Sequence, residues 1–227
     1  MLVSRPTIGG AFLAILMGLG ITATSESTPL TYSFEGLAAG TVVTGQLPSG
    51  EILPGDVYSA FDIAVEAVNV PNTLTIFDSA NPTGGDFDLG TPNEDFGGPG
   101  KGDGGSAGMP GENKTPQGKV LVIPQNLTDV NHDGRIDAPN DNHEGGVITI
   151  DWPGMGLMNS MMFIDIEEDG AFVDMYAGDQ LVQSFPIPAL GDNAQVRVTT
   201  LTNELIDRSV IMFPGSGALA SMTFDPI

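Results

Sequence analysis

Apolar and polar positions alternate with a period of two along most of this chain. Residues 61–68 read Phe-Asp-Ile-Ala-Val-Glu-Ala-Val, and residues 73–77 and 147–152 keep the same alternation. Successive side chains of a strand point to opposite faces, so this period marks strands with one buried and one wetter face. Residues 31–34, 196–199, 209–213 and 219–224 add short β-prone runs. Residues 119–123, Lys-Val-Leu-Val-Ile, suit a buried strand. Residues 161–166 and 171–176 flank a Glu-Asp-Gly turn and read as a hairpin. No segment keeps a 3.6-residue period with helix caps. The pattern predicts an all-β fold: an antiparallel two-sheet sandwich, jelly-roll-like, forming a single domain over residues 29–227.

Residues 78–118 break the pattern. Eleven glycines fall between Gly84 and Gly111, with prolines and acids among them. A connection this long is either disordered or an ordered functional loop. The composition favours disorder. The first half, Asp78 through Asn93, is not low-complexity and favours order.

Charge narrows the partners. The chain has 29 Asp and Glu against 7 Lys and Arg, a formal charge of −22. Such a surface repels nucleic acid and anionic membranes, and attracts metal ions or basic partners. Self-repulsion opposes compaction, and bound divalent cations relieve it. There is no cysteine, hence no disulfide and no thiolate metal site. Arg5 precedes an apolar run at 8–20 that is short and glycine-rich for a membrane span, and small polar residues follow. Residues 1–24 therefore read as a secretory signal peptide cleaved after Ala23, or as a retained hydrophobic segment. The expected location is secreted, extracellular or at the cell surface. There, calcium can supply the cross-links that disulfides otherwise give.

Residues 129–140 read Asp-Val-Asn-His-Asp-Gly-Arg-Ile-Asp-Ala-Pro-Asn. Oxygen side chains stand at loop positions 1, 3, 5 and 9 (Asp129, Asn131, Asp133, Asp137), with Gly134 at position 6. This is the ligand order of a calcium loop, in which a hard cation collects roughly 6–8 oxygens and glycine permits the sharp turn. Arg135 offers its backbone carbonyl. Position 12 departs from the pattern: Asn140 replaces the bidentate Glu, and Asp141 or Glu144 can supply the carboxylate. A second calcium clasp is expected from Asp78, Asp86, Asp88 and Asn93 in the glycine-rich loop, against the alternative of a solvated loop.

The phrase at 76–99 and the later Asp141-Asn142-His143-Glu144-Gly145-Gly146 resemble an uncharacterised β-sandwich domain of secreted bacterial proteins. The resemblance covers about residues 32–227. It implies fold and location, beside adhesion-type and calcium-binding modules, and no established activity. The 129–140 loop is similar to dockerin and thrombospondin type 3 calcium loops. The chain lacks the flanking helices and second copy of dockerins, which argues against docking of that kind. Glu35 and Asp225, ending the first and last strands, resemble the acids that share a structural calcium in jelly-roll carbohydrate-binding modules.

Catalytic groups do not assemble. Gly104-Gly105-Ser106-Ala107-Gly108 spells a nucleophile elbow without the strand and helix that give it meaning. His132 and His143 lack zinc-hydrolase spacing. Carboxylates are abundant, but no pair stands out as a glycosidase dyad. Tyr58, Tyr176 and Phe87 offer sugar-stacking faces, whereas Trp152 at a strand end suits the core. Asn113 and Asn126 head glycosylation sequons. The expectation is a non-catalytic calcium-binding module that attaches to glycan or extracellular matrix. The alternative is a self-assembling filament or surface-layer subunit that donates residues 1–31 as a strand. A polysaccharide-active enzyme is third.

Overall fold

The computed structural model describes residues 29–43, 45–46, 62–199 and 203–227. The signal-like segment 1–24 and Tyr58 lie outside the described residues. Among the described residues twelve strands follow one another: β1 (Leu30–Tyr32), β2 (Val42–Val43), β3 (Gly45–Gln46), β4 (Asp62–Ala67), β5 (Leu74–Asp78), β6 (Lys119–Val122), β7 (Gly146–Ile164), β8 (Phe172–Ala177), β9 (Gln180–Pro186), β10 (Gln195–Thr199), β11 (Ile206–Phe213) and β12 (Ala218–Pro226). Every strand pair is antiparallel. The only helices among the described residues are single 3₁₀ turns at Phe87–Leu89 and Glu94–Phe96. The all-β antiparallel class expected from the alternation is the one observed.

The pairs form one continuous network that turns on β7. Along its first part β7 pairs with β4 and β11; along its second part it pairs with β12 and β10. Gly156 is the changeover, opposite both Ile206 and Pro226. Just before it lies Pro153, which lacks a ladder donor, and the β11 register shifts there between Ile206 and Arg208. One half of the network thus carries β3, β4, β11, β8 and β9, and the other carries β2, β5, β6, β12, β1 and β10. Inward residues of both halves, among them Ile148, Ile211 and Val173 from one and Leu121, Phe163 and Leu219 from the other, share one core. Trp152 belongs to it, stacked on Phe224 at 4.4 Å and donating its indole N–H to Ser209 Oγ at 3.1 Å, as a buried indole requires.

The expected hairpin of 161–166 with 171–176 does not form. The end of β7 sits between β10 and β12, while β8 pairs with β11 and β9. Residues 161–166 are buried throughout, and a strand buried on both faces needs a central place rather than a hairpin edge.

The glycine-rich stretch is ordered. Residues 78–118 lie on the outer face of the β5–β6–β12 half, where Leu89 joins Phe77, Val120, Val122, Met162 and Ile164 in a second buried cluster. The loop bonds to the 190–195 turn: Gly105 N donates to Asp192 O at 3.1 Å, and Gln195 N donates to Gly111 O at 2.9 Å. Glycine is required by this contact, since a Cβ at Gly104 would stand 2.4 Å from the Leu190 carbonyl oxygen. The other half has no such cover among the described residues. Val147, Thr149, Asp151, Val210, Met212, Asp174 and Tyr176 all remain partly exposed on its outer face.

Candidate functional site

The 129–137 loop is held at its base. Ile136 is buried, its N–H donates to Gly40 O at 2.9 Å, and Asp137 N donates to Thr128 O at 3.0 Å. Within the loop the oxygens turn inward onto backbone amides. Asp129 accepts from Asp133 N (3.2 Å) and Gly134 N (2.9 Å), Asn131 from Asp133 N (2.8 Å), and Asp133 from Arg135 N (2.9 Å). Asp137 closes the ring, accepting from Val130 N at 2.7 Å and from Asn131 Nδ2 at 2.9 Å. Gly134 takes φ +83°, which a glycine adopts without strain. The structure therefore gathers Asp129, Asn131, Asp133 and Asp137 around one turn, with Arg135 in the same circuit.

The residues expected at position 12 go elsewhere. Asn140 Nδ2 points to Gly84 O at 3.4 Å. Asp141 is buried, accepting from Gly217 N at 2.6 Å while its own N–H donates to Asp86 Oδ2 at 2.9 Å. Glu144 accepts from Asn69 Nδ2. The chain turns inward after Pro139, which is itself buried, and so takes these three away from the loop.

The expected second clasp divides. Asp78 is ion-paired with Lys119 at 2.6 Å and also accepts from Ala80 N and Asn81 Nδ2. Asn93 spends its amide on Gly102 O and Asn193 Oδ1, and its carbonyl on Asp95 N. Both are structural ties. Asp86 and Asp88 instead join acids that the sequence reading did not group with them: Asp141, Asp165, Glu167, Glu168 and Asp192 interact electrostatically across this end of the molecule. Burial, then the Asp88 and Asp141 charges, pushes the Asp165 carboxyl up to about 9. Burial likewise raises Asp86 and Asp141, and a hydrogen bond to Asp192 leads the rise at Glu167. The signal available in the sequence was that Asp141, Asp165 and Asp192 each stand at a strand end or turn. Their convergence depends on chain topology.

The expected third pair does not meet. β1 runs from Leu30 opposite Phe224 to Tyr32 opposite Met222, so Glu35 lies beyond the far end from Asp225. Glu35 accepts from Lys119 N at 2.8 Å. Among the described residues, no three His, Asp or Glu side chains are gathered closely enough to hold a metal ion as they stand.

Asn113 is fully buried, bonded to Gly90 O and Gln195, and so is no glycan acceptor as folded; Asn126 is exposed. Ser106 lies among turns and bonds to Gly102 O. His132 and His143 are exposed. Phe87 is 44% exposed with Lys101 Nζ 4.7 Å above its ring.

The bare outer face carries two grooves. One, about 380 Å³, is lined by Thr149, Asp151, Tyr176, Asp179, Arg208 and Val210. The other, about 410 Å³, includes Glu66, Val147, Met212 and Pro214. They lie end to end, because Val147 and Thr149 are alternate residues of β7, and Val210 and Met212 of β11. Arg208 Nε donates to Asp151 Oδ1 at 2.5 Å, and register places Tyr176 opposite Arg208 on the next strand. Comparison with family models, curated proteins and solved structures finds no match for the chain.

Proposed function

We propose that this chain is a secreted, calcium-stabilised β-module that attaches to a glycan of the extracellular matrix or cell surface and catalyses no reaction. The observation that carries the reading is the uncovered outer face, with two grooves end to end and Tyr176 beside a polar row. Such a trough suits an extended chain of sugars, which pairs apolar ring faces with aromatic side chains and hydroxyls with charged groups. Asp151, Asp174 and Asp179 outnumber Arg208 there, so a neutral glycan fits better than a sulfated or uronic one.

The inward oxygens of Asp129, Asn131, Asp133 and Asp137 support calcium at the 129–137 loop, with the Arg135 carbonyl as a further ligand. The ion's role is to lock the loop and offset negative charge.

The test is retention on immobilised polysaccharides at millimolar calcium. Tyr176→Ala should weaken retention at least about tenfold, the effect of losing roughly 1.4 kcal/mol at one aromatic anchor. Asp133→Ala should weaken the calcium-dependent rise in unfolding temperature. Wild-type retention by Tyr176→Ala, or release of sugar products by the protein, sinks the attachment reading.

A second reading, assembly of copies by strand addition, is favoured by β9. It pairs only with β8 among the described residues and exposes Leu181 by 48%. Filaments in electron micrographs of the purified protein would promote it over glycan attachment.

A further inference from the structure

The two grooves of the uncovered face differ in chemistry. The first carries Tyr176 and the Arg208–Asp151 pair. The second, about 410 Å³, is floored by a row that strand register defines. Glu66 stands opposite Val147, Val147 opposite Met212, and Met212 opposite Phe172, on four neighbouring strands. Strands lie roughly 4.8 Å apart, so the row is about 15 Å long. It is apolar from Val147 to Phe172 and ends in a carboxylate. Val147, Met212 and Phe172 are half-buried, while Glu66 is exposed. Val68, 44% exposed, and Pro214 extend the apolar wall. The charged side chains lining this groove are both carboxylates, Glu66 and Glu144, and no Lys or Arg lines it. Glu144 already accepts from Asn69 Nδ2, whereas no ion pair of the described residues reaches Glu66.

This lining asks a ligand for an apolar group beside a hydrogen-bond donor, because a carboxylate only accepts. The hydroxyl of a plain hexose supplies the donor but leaves the apolar row facing a polar group. An ammonium supplies donors, yet apolar side chains strip the water it holds most strongly. An acetamido group supplies both parts. Its amide is planar and trans, which puts the methyl and the N–H on one side and the carbonyl oxygen on the other. The methyl can then lie on the row while the N–H meets the carboxylate, and the oxygen stays in water.

We infer that the glycan is N-acetylated: the second groove takes a 2-acetamido group, its methyl over Val147 and Met212 and its N–H donated to Glu66. The inference rests on the glycan reading above and names the class of sugar. From Arg208 to Pro214 the two grooves follow β11 for roughly 20 Å, room for several linked rings. Tyr176 in the first groove then holds a neighbouring ring of the same chain.

The experiment compares three β-1,4-linked tetrasaccharides that differ only at carbon 2: hydroxyl (glucose), acetamido (N-acetylglucosamine) and ammonium (glucosamine). Each is titrated calorimetrically into the full chain at millimolar calcium. The acetamido form should bind about tenfold or more tighter than the hydroxyl form, the scale on which an apolar pocket sorts one methyl-sized group. Met212→Ser and Glu66→Ala should each bring those two affinities together. Glu66→Gln, which keeps an acceptor oxygen, should preserve the preference. Glu66 is exposed, so its variants carry the test if Met212→Ser does not fold. Equal affinity for the hydroxyl and acetamido forms, both weakened by Tyr176→Ala, overturns the inference and leaves attachment to a glycan standing. Tightest binding of the ammonium form, lost in Glu66→Gln, overturns it in favour of capture by charge. Binding of none of the three overturns it as well, and the attachment reading falls with it only if immobilised polysaccharides also fail to retain the protein.

Discussion

The two outer faces of this molecule are built from the same kind of strand and meet opposite fates. On the β5–β6–β12 side, Phe77, Val120, Val122 and Ile164 are sealed under residues 78–118. On the β7–β11–β8 side, the equivalent row holds Val147, Thr149, Val210 and Met212, all left partly open. A sheet face that is apolar without interruption has to be covered, and a long loop of small residues can cover it closely. A face that mixes apolar and charged positions can stay in water and remain available to a ligand. The loop is therefore part of the core on one side, while on the other the described residues leave the surface open.

The largest expected effect tests whether the cover is structural. Leu89 is fully buried in the second cluster. Leu89→Ala should cost about 2–5 kcal/mol, read by chemical denaturation, because it leaves a cavity between loop and strands. A cost below about 1 kcal/mol would mean that the loop merely drapes over the face.

Much of this contrast was legible in the chain, and its limits are physical. The unbroken run at 119–123 marked a strand buried on both faces, and alternation at 147–152 marked one buried on a single face; both hold. The oxygen side chains from Asp129 to Asp137 come together around one turn because their spacing is local. What depended on non-local contacts was lost. β9 was missed because Gln180–Pro186 lacks clean alternation, although Gly178-Asp179 is a two-residue hairpin turn between Ala177 and Gln180. The continuity of β7 through Pro153 and Gly154 was missed because both residues ordinarily punctuate a strand. Order in residues 78–118 was obscured by composition: the glycines there serve close backbone approach rather than flexibility. The tie between Asp86 and the Asp141 N–H could not be read because it forms only once the loop has docked.

The pH dependence of stability is the next effect in size. Asp165, under the covered side, has its folded carboxyl raised to about 9, against an ordinary unfolded value near 4. Between those values the folded chain holds more protons than the unfolded one, so in chelator its stability is greatest below about pH 4 and falls as pH rises towards 9. The reverse trend in chelator, stability rising from pH 5 to 8, would place the dominant carboxylates on the solvated face instead.

Paired substitutions then compare the faces directly. Val122→Ser places a hydroxyl in the covered cluster and should cost about 2 kcal/mol or more. Val210→Ser, on the bare face, should stay within about 0.5 kcal/mol by the same denaturation measurement, yet reduce retention on the glycan. Equal costs at the two sites would mean that something covers both faces.

The smallest stability effect concerns the ion pair of the bare face. Arg208 Nε meets Asp151 Oδ1 at 2.5 Å with both side chains more than a third exposed. Water and salt screen such a pair, and holding it costs side-chain freedom, so its contribution should be no more than about 1 kcal/mol. Arg208→Ala should therefore leave the unfolding midpoint nearly unchanged. It should nevertheless lower glycan retention, because Arg208 is the one cation lining the groove beside Tyr176. Added salt should reproduce little of that loss, since hydrogen bonds to a neutral sugar do not depend on long-range charge. If salt alone abolished retention, the ligand would be a cationic polymer drawn by the acids of this face, and the uncovered side would serve electrostatic capture rather than recognition of sugars.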